Sequence, residues 1–384
     1  MPTLKDVAQR ANVSVPEVYH VLTGSSQIDE RIRTAVMQAA EALDYRLNIT
    51  MRDVAAYAGV SVTTVSYVVN NNPLIKPATR QIVRNAIRDL AYHPNATARN
   101  LKANQSRMIG YAWHVAEDPL HRNLLLDLFL YELAQYSEAN GYHVLTFMQP
   151  TLYGIKAYET LINTNRVDGV VMSDVTYDDL RVRKLLDMKV PFAAYGKSDD
   201  ALDFPYVEVD GNHGIQLAVD HLVSKGHERI ALITYLSGTR FGDQRTQGFL
   251  EAMQRANLPI VDTWVVHSSN TLEHAFDATR QIMTNRPRPT AIVCANDLMA
   301  FGAMRCIESL DLEVGTDVAL TGYDDTTIAE LMGLTSVRQP IPQVAQGVIE
   351  LLLAEINHQR PAEHHILLKP SLIVRGSSSH PRRT

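Results

Sequence analysis

The pattern of hydrophobic and polar positions changes in character at about residue 107. Before that point, short stretches carry apolar residues three and four positions apart, a spacing that places them on one side of a helix. After it, short apolar runs alternate with longer amphipathic stretches, which predicts strands and helices in turn. We therefore expect an all-α N-terminal region followed by a larger α/β region.

Short apolar strands between helices are typical of parallel sheets that are covered on both faces. The length of the second region fits two such lobes. The predicted strands are 108–113, 143–148, 168–174, 191–196, 206–210, 229–236, 291–297 and 318–325, and the predicted helices are 124–140, 156–164, 212–225, 243–256, 273–285, 298–309 and 342–357.

The stretch 51–70 has the spacing of a helix, a tight turn and a second helix. Gly59 stands where a helix ends in a left-handed turn, and Ser61 is suited to cap the next helix. Val65, Val68 and Val69 fall on the inner side of that second helix. Small and hydroxylated side chains remain on its outer side, which suits a helix that lies in the major groove of DNA.

This stretch resembles the DNA-binding head of the lactose-repressor/purine-repressor family of bacterial transcriptional regulators. The matched string DVAxxAGVSxxTVSxVVN is followed by Thr79-Arg80 and by a helix ending in LxYxPN at Leu90–Asn95. Tyr67 holds a position that often reads bases in the family, usually with another side chain, so the operator sequence does not transfer. The residues that the resemblance assigns to DNA are Thr50, Ser61, Val62, Thr63, Thr64, Ser66, Tyr67, Asn70, Asn95, Ala98, Leu101 and Lys102.

Residues 95–106 follow this head as a linker. In the family, this stretch is a hinge helix that orders on operator DNA as a dimer and inserts a leucine into the minor groove. Leu101 matches that leucine, and such an apolar wedge unstacks a base step at roughly a few kcal/mol. The alternative is that Leu101 only packs within the linker.

The first 48 residues repeat the head that follows them, at a constant offset of 47 residues and without gaps. The family normally has one head, so a tandem pair departs from its pattern. We expect a degenerate head at 1–48 and a DNA-binding head at 49–94. The corresponding residues are Asp6, Ala8, Val13, Ser14, Val18, Arg33, Val36, Leu43, Tyr45 and Asn48 with Asp53, Ala55, Val60, Ser61, Val65, Arg80, Val83, Leu90, Tyr92 and Asn95.

The first copy is less suited to DNA than the second. Pro16 and Glu17 stand where the second head has threonines, and Tyr19 stands in place of Ser66. Glu17 is expected to face phosphates unfavourably, although a glutamate can accept from a cytosine amine. We interpret this copy as a packing or auxiliary module, and two arrangements stay open. It either extends the footprint along DNA or folds against the second head or a partner.

The charge of the chain is distributed unevenly. The net charge is −6, yet residues 50–107 carry eight Lys/Arg and two Asp/Glu, whereas residues 1–49 carry five and six. The remainder carries 23 basic and 34 acidic residues. A basic segment joined to an acidic body is the footprint of a DNA-binding head on a soluble sensor domain.

The region 107–384 resembles the effector-binding and dimerisation domain of the same family, itself similar to periplasmic sugar-binding proteins. The resemblance implies two lobes around a hinged cleft, with chain crossings near Asp210, Arg338–Pro340 and Leu368–Ser371. Ligands in such folds bind beyond the carboxyl ends of the strands. The residues expected to bind the effector are Trp113, His114, Asp174, Tyr195, Lys197, Arg245, Asn296 and Asp324.

Several of these assignments leave an alternative open. Arg245 matches the family's effector-binding arginine, whose guanidinium can hold two neighbouring hydroxyls or a carboxylate. Asp324 matches an aspartate that accepts from sugar hydroxyls, but Arg245 and Asp324 could instead form an ion pair that stabilises the lobe. Trp113 stacks on a sugar face or belongs to the core. Asp297 is expected to cap the helix that starts there.

The residue types that most often act in catalysis or metal binding do not form a recognisable site in this sequence. Cys294 and Cys306 lie in apolar stretches and are predicted to be buried thiols. No Cys/His spacing suits zinc, and His364-His365 is interpreted as part of a strand. There is no GxSxG elbow or P-loop, and the pairs Asp199-Asp200 and Asp324-Asp325 are interpreted as caps and solvated loops. We expect no enzyme activity, no cofactor and no metal.

These features together predict a sequence-specific transcriptional regulator, most simply a repressor, that binds a near-palindromic operator as a homodimer. A small effector in the cleft, a sugar or sugar derivative with a nucleobase as the second choice, would control operator affinity. A solute-binding transport protein would also explain the cleft, but it requires export. The N-terminus lacks an apolar signal core and no apolar run could span a bilayer, so we expect a cytoplasmic protein with no membrane partner. No leucine heptads follow the last strand, which favours a dimer over a dimer of dimers.

Overall fold

The computed structural model describes residues 2–24, 28–46, 49–70, 72–92, 105–114, 124–149, 154–199, 201–359, 361 and 363–378. The chain divides into two compact units, residues 1–104 and 105–384. The predicted hinge residues lie outside the described residues; they are Asn95, Ala98, Leu101 and Lys102.

The N-terminal unit consists of two heads of three helices each. The buried apolar side chains of both heads belong to one hydrophobic cluster. Helix starts and ends follow the local sequence, since Ser61 caps one helix and Gly59 ends another at φ 65°. The helices are α1 (Leu4–Ala11), α2 (Val15–Leu22) and α3 (Glu30–Ala42) in the first head, and α4 (Met51–Ala58), α5 (Val62–Val69) and α6 (Pro77–Asp89) in the second.

The C-terminal unit is built from two parallel sheets with helices on both faces, as the strand pattern predicts. Its strands are β1 (Met108–His114), β2 (His143–Gln149), β3 (Gly169–Met172), β4 (Phe192–Tyr195), β5 (Tyr206–Val209), β6 (Ile230–Tyr235), β7 (Val265–Ser268), β8 (Ala291–Cys294), β9 (Ala319–Asp324), β10 (Thr335–Arg338), β11 (His365–Leu368) and β12 (Ser371–Ile373). Its helices are α7 (Leu124–Ala139), α8 (Lys156–Asn163), α9 (Leu180–Asp187), α10 (Gly211–Ser224), α11 (Arg240–Arg255), α12 (Leu272–Met283), α13 (Asp297–Ser309), α14 (Thr327–Leu331) and α15 (Ile341–Ile356).

Each sheet forms one lobe. The first has the strand order β11-β5-β4-β3-β1-β2, and the second has the order β12-β10-β9-β8-β6-β7, in which only β12 pairs antiparallel. The chain passes between the lobes after β5, after β10 and after β11, which are the three crossings expected from the sequence. Three crossing segments side by side place a cleft between the lobes and a hinge at its base.

Apart from the histidines at the start of β11, the sequence pattern did not predict four of the strands and two of the helices. β7, β11 and β12 lie at sheet edges, where half-exposed side chains weaken the apolar signal. β10 is buried but carries polar residues, and helices α9 and α14 are short. The thiols Cys294 and Cys306 are buried and free, as predicted. Among the described residues, no helix is long and apolar enough to cross a membrane.

Candidate functional site

The outer face of α5 is the surface that the sequence assigns to the major groove. Val62 and Tyr67 are 42% and 44% exposed, and Thr63 is exposed beside them. On the opposite side, Val65 and Val68 are buried in the head core. The helix therefore presents methyl, hydroxyl and phenol groups outward on a rigid scaffold, which suits contacts with base edges.

The other described DNA candidates of the second head are engaged at helix ends. The Ser61 hydroxyl accepts from the Thr64 N–H over 3.1 Å and contacts the Thr64 hydroxyl at 2.8 Å. The Asn70 side-chain amide donates to the Ser66 carbonyl over 2.8 Å, and Ser66 itself is half-buried. Thr50 donates to its own helix at its backbone and its hydroxyl. Most of these residues therefore stabilise the ends of α4 and α5, whereas Val62, Thr63 and Tyr67 are exposed on the outer face of α5.

A cavity of about 210 Å³ lies in the cleft between the lobes of the C-terminal unit. Five of the eight predicted effector residues line it, namely Asp174, Tyr195, Lys197, Arg245 and Asp324. The other lining residues were not predicted from the sequence; they are Leu125, Leu126, Val175, Gly196, Glu208, Val209, Gly211, Tyr235, Arg240, Phe241, Gln244, Asn270 and Gln339.

Arg245 forms the base of this cavity and is 7% exposed. Its Nη1 donates to the Ala295 carbonyl over 2.5 Å, and its guanidinium carbon lies 3.8 Å from the centre of the Tyr323 ring. The Nη2 atom stands 3.9 Å from the Asp324 carboxylate, too long for a direct hydrogen bond. The buried Nε has no hydrogen-bond partner. The side chain is therefore held by the Ala295 carbonyl and by stacking on Tyr323 while its Nε is left without a partner, so part of its donor capacity is available to a ligand.

Asp324 ends β9 with a backbone φ of 108°, which is strained for a residue with a side chain. Burial raises the pKa of Asp324 to about 6, although Arg245 and Gln339 counteract the rise. Burial and the neighbouring Asp324 raise the pKa of Asp297 to about 7. Two carboxyl groups in this region thus change charge close to neutral pH.

Glu208 and Gln339 connect the two lobes at the cleft. Glu208, on β5 of the first lobe, accepts from the Gln244 amide over 3.0 Å and lies 3.3 Å from Arg240. Gln339 lies in the second crossing segment, where it accepts from the Tyr195 hydroxyl over 2.7 Å. The sequence does not single out Glu208 or Gln339, because their partners are distant in the chain.

Three predicted effector residues do not line the cavity. Trp113 is partly buried and packs edge to face with Tyr111 in the first-lobe core, so the core alternative applies to it. Asn296 lies behind the cavity wall, where its amide donates to Tyr235 and Asn270 and its oxygen caps α13. The backbone of His114 ends β1, and its side chain lies outside the described residues.

The structure corrects the interpretation of two acidic residues. Asp297 does not cap α13, because Asn296 does; the Asp297 carboxylate accepts from the Ser336 hydroxyl and the Thr326 N–H instead. Asp325 is not in a solvated loop, since its side chain is 1% exposed and pairs with Arg338 and Arg375, each at 2.6 Å. Sequence proximity favoured capping, but the partners of both carboxylates lie on other strands and segments.

Asp203 and the two adjacent histidines come together at the edge of the first sheet. Asp203 Oδ1 lies 2.7 Å from His364 Nε2 and 3.3 Å from His365 Nε2. His365 begins β11, as the strand interpretation requires, and its ring stacks on Tyr206. The sequence does not predict this contact, because Asp203 and His364 are 161 positions apart.

Comparison with known proteins decides the family. Residues 3–48 and 50–95 each match the profile of bacterial regulatory proteins of the lacI family, and residues 219–378 match the periplasmic binding protein-like domain. A repressor named PurR from Photorhabdus laumondii is 33% identical over 382 residues, which cover 98% of this chain and 97% of the relative. The chain belongs to the LacI family.

Solved structures of LacI-family proteins have the same architecture. A lac repressor dimer bound to operator and the anti-inducer ONPF is 28% identical, has a TM-score of 0.74, and covers 86% of this chain and 99% of its own. The transcriptional regulator CelR in complex with cellobiose is 27% identical with a TM-score of 0.66, and covers 86% of this chain and 100% of its own. A LacI-family regulatory protein from Chloroflexus aggregans is 39% identical with a TM-score of 0.67, and covers 72% of this chain and 99% of its own.

Membership of the LacI family makes this chain a DNA-binding transcriptional repressor with an effector-binding fold behind its heads. The match of both N-terminal segments to the same head profile confirms the tandem duplication seen in the sequence. The relatives named here are transcriptional regulators by name.

Proposed function

We propose that this repressor binds a near-palindromic operator as a homodimer in the cytoplasm and that a small, neutral, polyhydroxylated effector, a sugar or sugar derivative, controls its affinity. The observation that carries the effector assignment is the buried pair of Arg245 and Asp324 at the base of the cleft, 3.9 Å apart. A ligand hydroxyl between them could accept from the guanidinium and donate to the carboxylate.

The charge of the cavity supports a neutral ligand. Three acidic side chains, Asp174, Glu208 and Asp324, line it together with three basic ones, Lys197, Arg240 and Arg245. An anionic or cationic ligand would leave one sign of charge unbalanced in the cavity. The related CelR was solved in complex with cellobiose, a neutral sugar, which agrees with this assignment.

A nucleobase is the second candidate. Repressors named PurR match this chain over almost its whole length, and three aromatic side chains, Tyr195, Tyr235 and Phe241, line the cavity. A planar base would gain from stacking on such rings. The sugar remains preferred because Tyr235 and Phe241 already contact each other edge to face, with ring centroids 4.7 Å apart.

Control of operator binding requires an effector with different affinities for two states of the protein. We infer that the lobes adopt two such states, because the hydrogen bond between Gln244 of the second lobe and Glu208 of the first breaks when the lobes separate. An effector that lies among these side chains changes the balance between closed and open lobes. We propose that closure then alters how the hinge segment predicted from the sequence at 95–106 sits across the dimer.

The function is tested in two steps with the full chain. Isothermal calorimetry with neutral mono- and disaccharides and with nucleobases identifies the effector class, and enrichment from random duplexes identifies the operator. We expect a palindromic site and a sugar that shifts its affinity. Binding of nucleobases alone would replace the sugar assignment, and failure to enrich any DNA sequence would favour a solute-binding protein. Turnover of the bound sugar would indicate an enzyme.

A further inference from the structure

The first head has a helix, α2, at the place where the second head has its recognition helix. On α2, Tyr19 corresponds to Ser66 of α5, which the sequence assigns to the DNA-facing side. Tyr19 is half-buried and packs against the hydrophobic cluster that the two heads share. The side of α2 that would meet bases in an independent reader therefore contributes to packing.

The partner of α2 is α4 of the second head. Helices α1 and α2 both contact α4, and Tyr57 of α4 packs against the same cluster as Tyr19. Burial raises the pKa of the Tyr57 hydroxyl, and Asp89 and Tyr19 add to the rise. An aromatic residue at position 19 thus fills an interface between heads, where a serine would leave it open.

Asp53 forms a hydrogen bond between the two heads. Asp53 is only 1% exposed. Its Oδ1 accepts from the Leu4 N–H of the first head over 2.7 Å. Oδ2 accepts from the Thr50 N–H over 2.9 Å and from the Thr50 hydroxyl over 2.6 Å. Leu4 begins α1 and Thr50 precedes α4, so the positive ends of two helix dipoles meet at one carboxylate.

The first head does not make an equivalent contact with the second head through the residue that matches Asp53. Asp6 occupies the matching position of the first head, but it is exposed and accepts from the Thr3 N–H and hydroxyl, each over 2.7 Å. Each aspartate therefore caps its own helix, and Asp53 in addition binds the neighbouring head. This asymmetry provides a matched control for the interface.

The start of α2 carries a helix cap. The Glu17 carboxylate turns back and accepts from the Ser14 N–H and hydroxyl, each over 2.7 Å. These hydrogen bonds lower the pKa of Glu17, so it stays charged as part of the helix cap. Pro16 beside it offers no N–H.

We propose that the first head is an intramolecular docking module whose α2 binds α4 of the second head and does not read DNA, with Asp53 as the residue that positions the two. This role goes beyond operator recognition by α5. It makes both heads one cooperative unit, so the first head affects DNA binding through the orientation of α4.

One experiment tests whether α2 touches DNA. His20 and Tyr67 occupy matching, exposed positions on α2 and α5. In the full chain, His20→Ala is expected to leave both the enriched operator and the salt slope of binding unchanged, whereas Tyr67→Ala changes the selected bases. A changed site in His20→Ala would overturn the docking role. An unchanged site in Tyr67→Ala would instead contradict recognition by α5 and leave the docking role standing.

A second experiment tests the role of Asp53. Amide hydrogen exchange in the full chain reports the opening of each helix separately. Asp53→Asn is expected to raise exchange about tenfold or more in α4 and α1 together, since it removes charge-assisted hydrogen bonds of both. Asp6→Asn is expected to affect α1 alone, and Tyr19→Ser to affect α2 and α4. Faster exchange in α4 with unchanged α1 in Asp53→Asn would show that the carboxylate caps only its own helix and would overturn the proposal.

Discussion

The side-chain amide of Gln339 donates a hydrogen bond of 2.8 Å to the carboxylate of Asp324. Gln339 also accepts from the Tyr195 hydroxyl, so one side chain in a crossing segment connects both lobes at the base of the cleft. Any ligand that engages Asp324 therefore acts on a residue already connected to the hinge. This connection gives the proposed effector a direct route to the relative position of the lobes.

Gln339→Met should keep the volume of the side chain and break the bridge between the lobes. Because a hydrogen bond to a charged group contributes roughly 1.5–3 kcal/mol, effector affinity is expected to fall about tenfold or more. Calorimetry of the full chain measures this change. Gln346→Met is the control, since Gln346 is exposed and bonds only within α15 to Glu350 among the contacts described. Equal affinity in both variants would contradict the bridge.

Arg245→Lys should reduce effector affinity by about tenfold to a hundredfold while the chain stays folded. A lysine retains the charge but loses both the planar fork and the stacking on Tyr323. Arg255→Lys on the same helix is the control, because Arg255 forms an exposed ion pair with Asp220. Unchanged binding in Arg245→Lys would favour the lobe-stabilising alternative for this arginine, and the melting temperature would then fall instead.

Effector affinity should depend on pH through Asp324. Its pKa of about 6 means that the carboxylate, the acceptor for ligand hydroxyls, becomes protonated below that pH. Affinity is therefore expected to decrease by up to about tenfold per pH unit below pH 6 and to be constant above about pH 7.5. Calorimetry between about pH 5 and pH 8 measures the profile, because this range extends about one unit or more to each side of the pKa. Asp324→Asn should bind weakly with no such profile.

The stability of the C-terminal unit should decrease as the pH rises, because the folded state raises the pKa of Asp297. Burial raises the pKa of Asp297 to about 7, from 3.8 in the unfolded chain, so the folded state binds more protons between these values. The contribution of Asp297 to the free energy of unfolding is thus fully present below about pH 4 and is lost as the pH rises to about 7. Urea unfolding across this range should show a smaller decrease for Asp297→Asn than for the unchanged chain.

Asp325→Asn should destabilise the C-terminal unit by about 3–5 kcal/mol. The Asp325 carboxylate is buried and pairs with Arg338 of β10 and with Arg375, which follows β12. Loss of its charge leaves the partly buried Arg375 without its carboxylate partner. Asp220→Asn, which removes an exposed pair with Arg255, should cost about 1 kcal/mol or less. Urea unfolding measures both, and similar values would contradict a structural role for Asp325.

Leu101→Ala tests the hinge predicted from the sequence. If Leu101 enters the minor groove, specific binding should weaken by about tenfold to a hundredfold, while binding to random DNA stays nearly constant. Fluorescence anisotropy with the enriched operator and with a scrambled duplex measures the two affinities. Leu74→Ala is the control, since Leu74 is 84% exposed in the second head. Equal losses on both duplexes would show that Leu101 only packs within the linker.

The sequence by itself determined the features whose causes lie within a few residues. Ser61 caps α5 because the N–H that it accepts belongs to Thr64, three positions away. Periodicity in the same way placed Val65 and Val68 in the core, and the strand–helix alternation predicted two covered parallel sheets. Family resemblance added Arg245 and Asp324, which line the cleft.

Only the tertiary structure decided which distant groups meet. Asp53 and Leu4 are 49 positions apart, Glu208 and Gln244 are 36 apart, and Tyr195 and Gln339 are 144 apart. The neighbouring sequence does not identify the partner of any of these side chains. A carboxylate or amide forms a hydrogen bond equally well with any donor that the fold brings within about 3 Å. The contact between the heads and the contacts between the lobes therefore follow from packing, which a local pattern of residues does not contain.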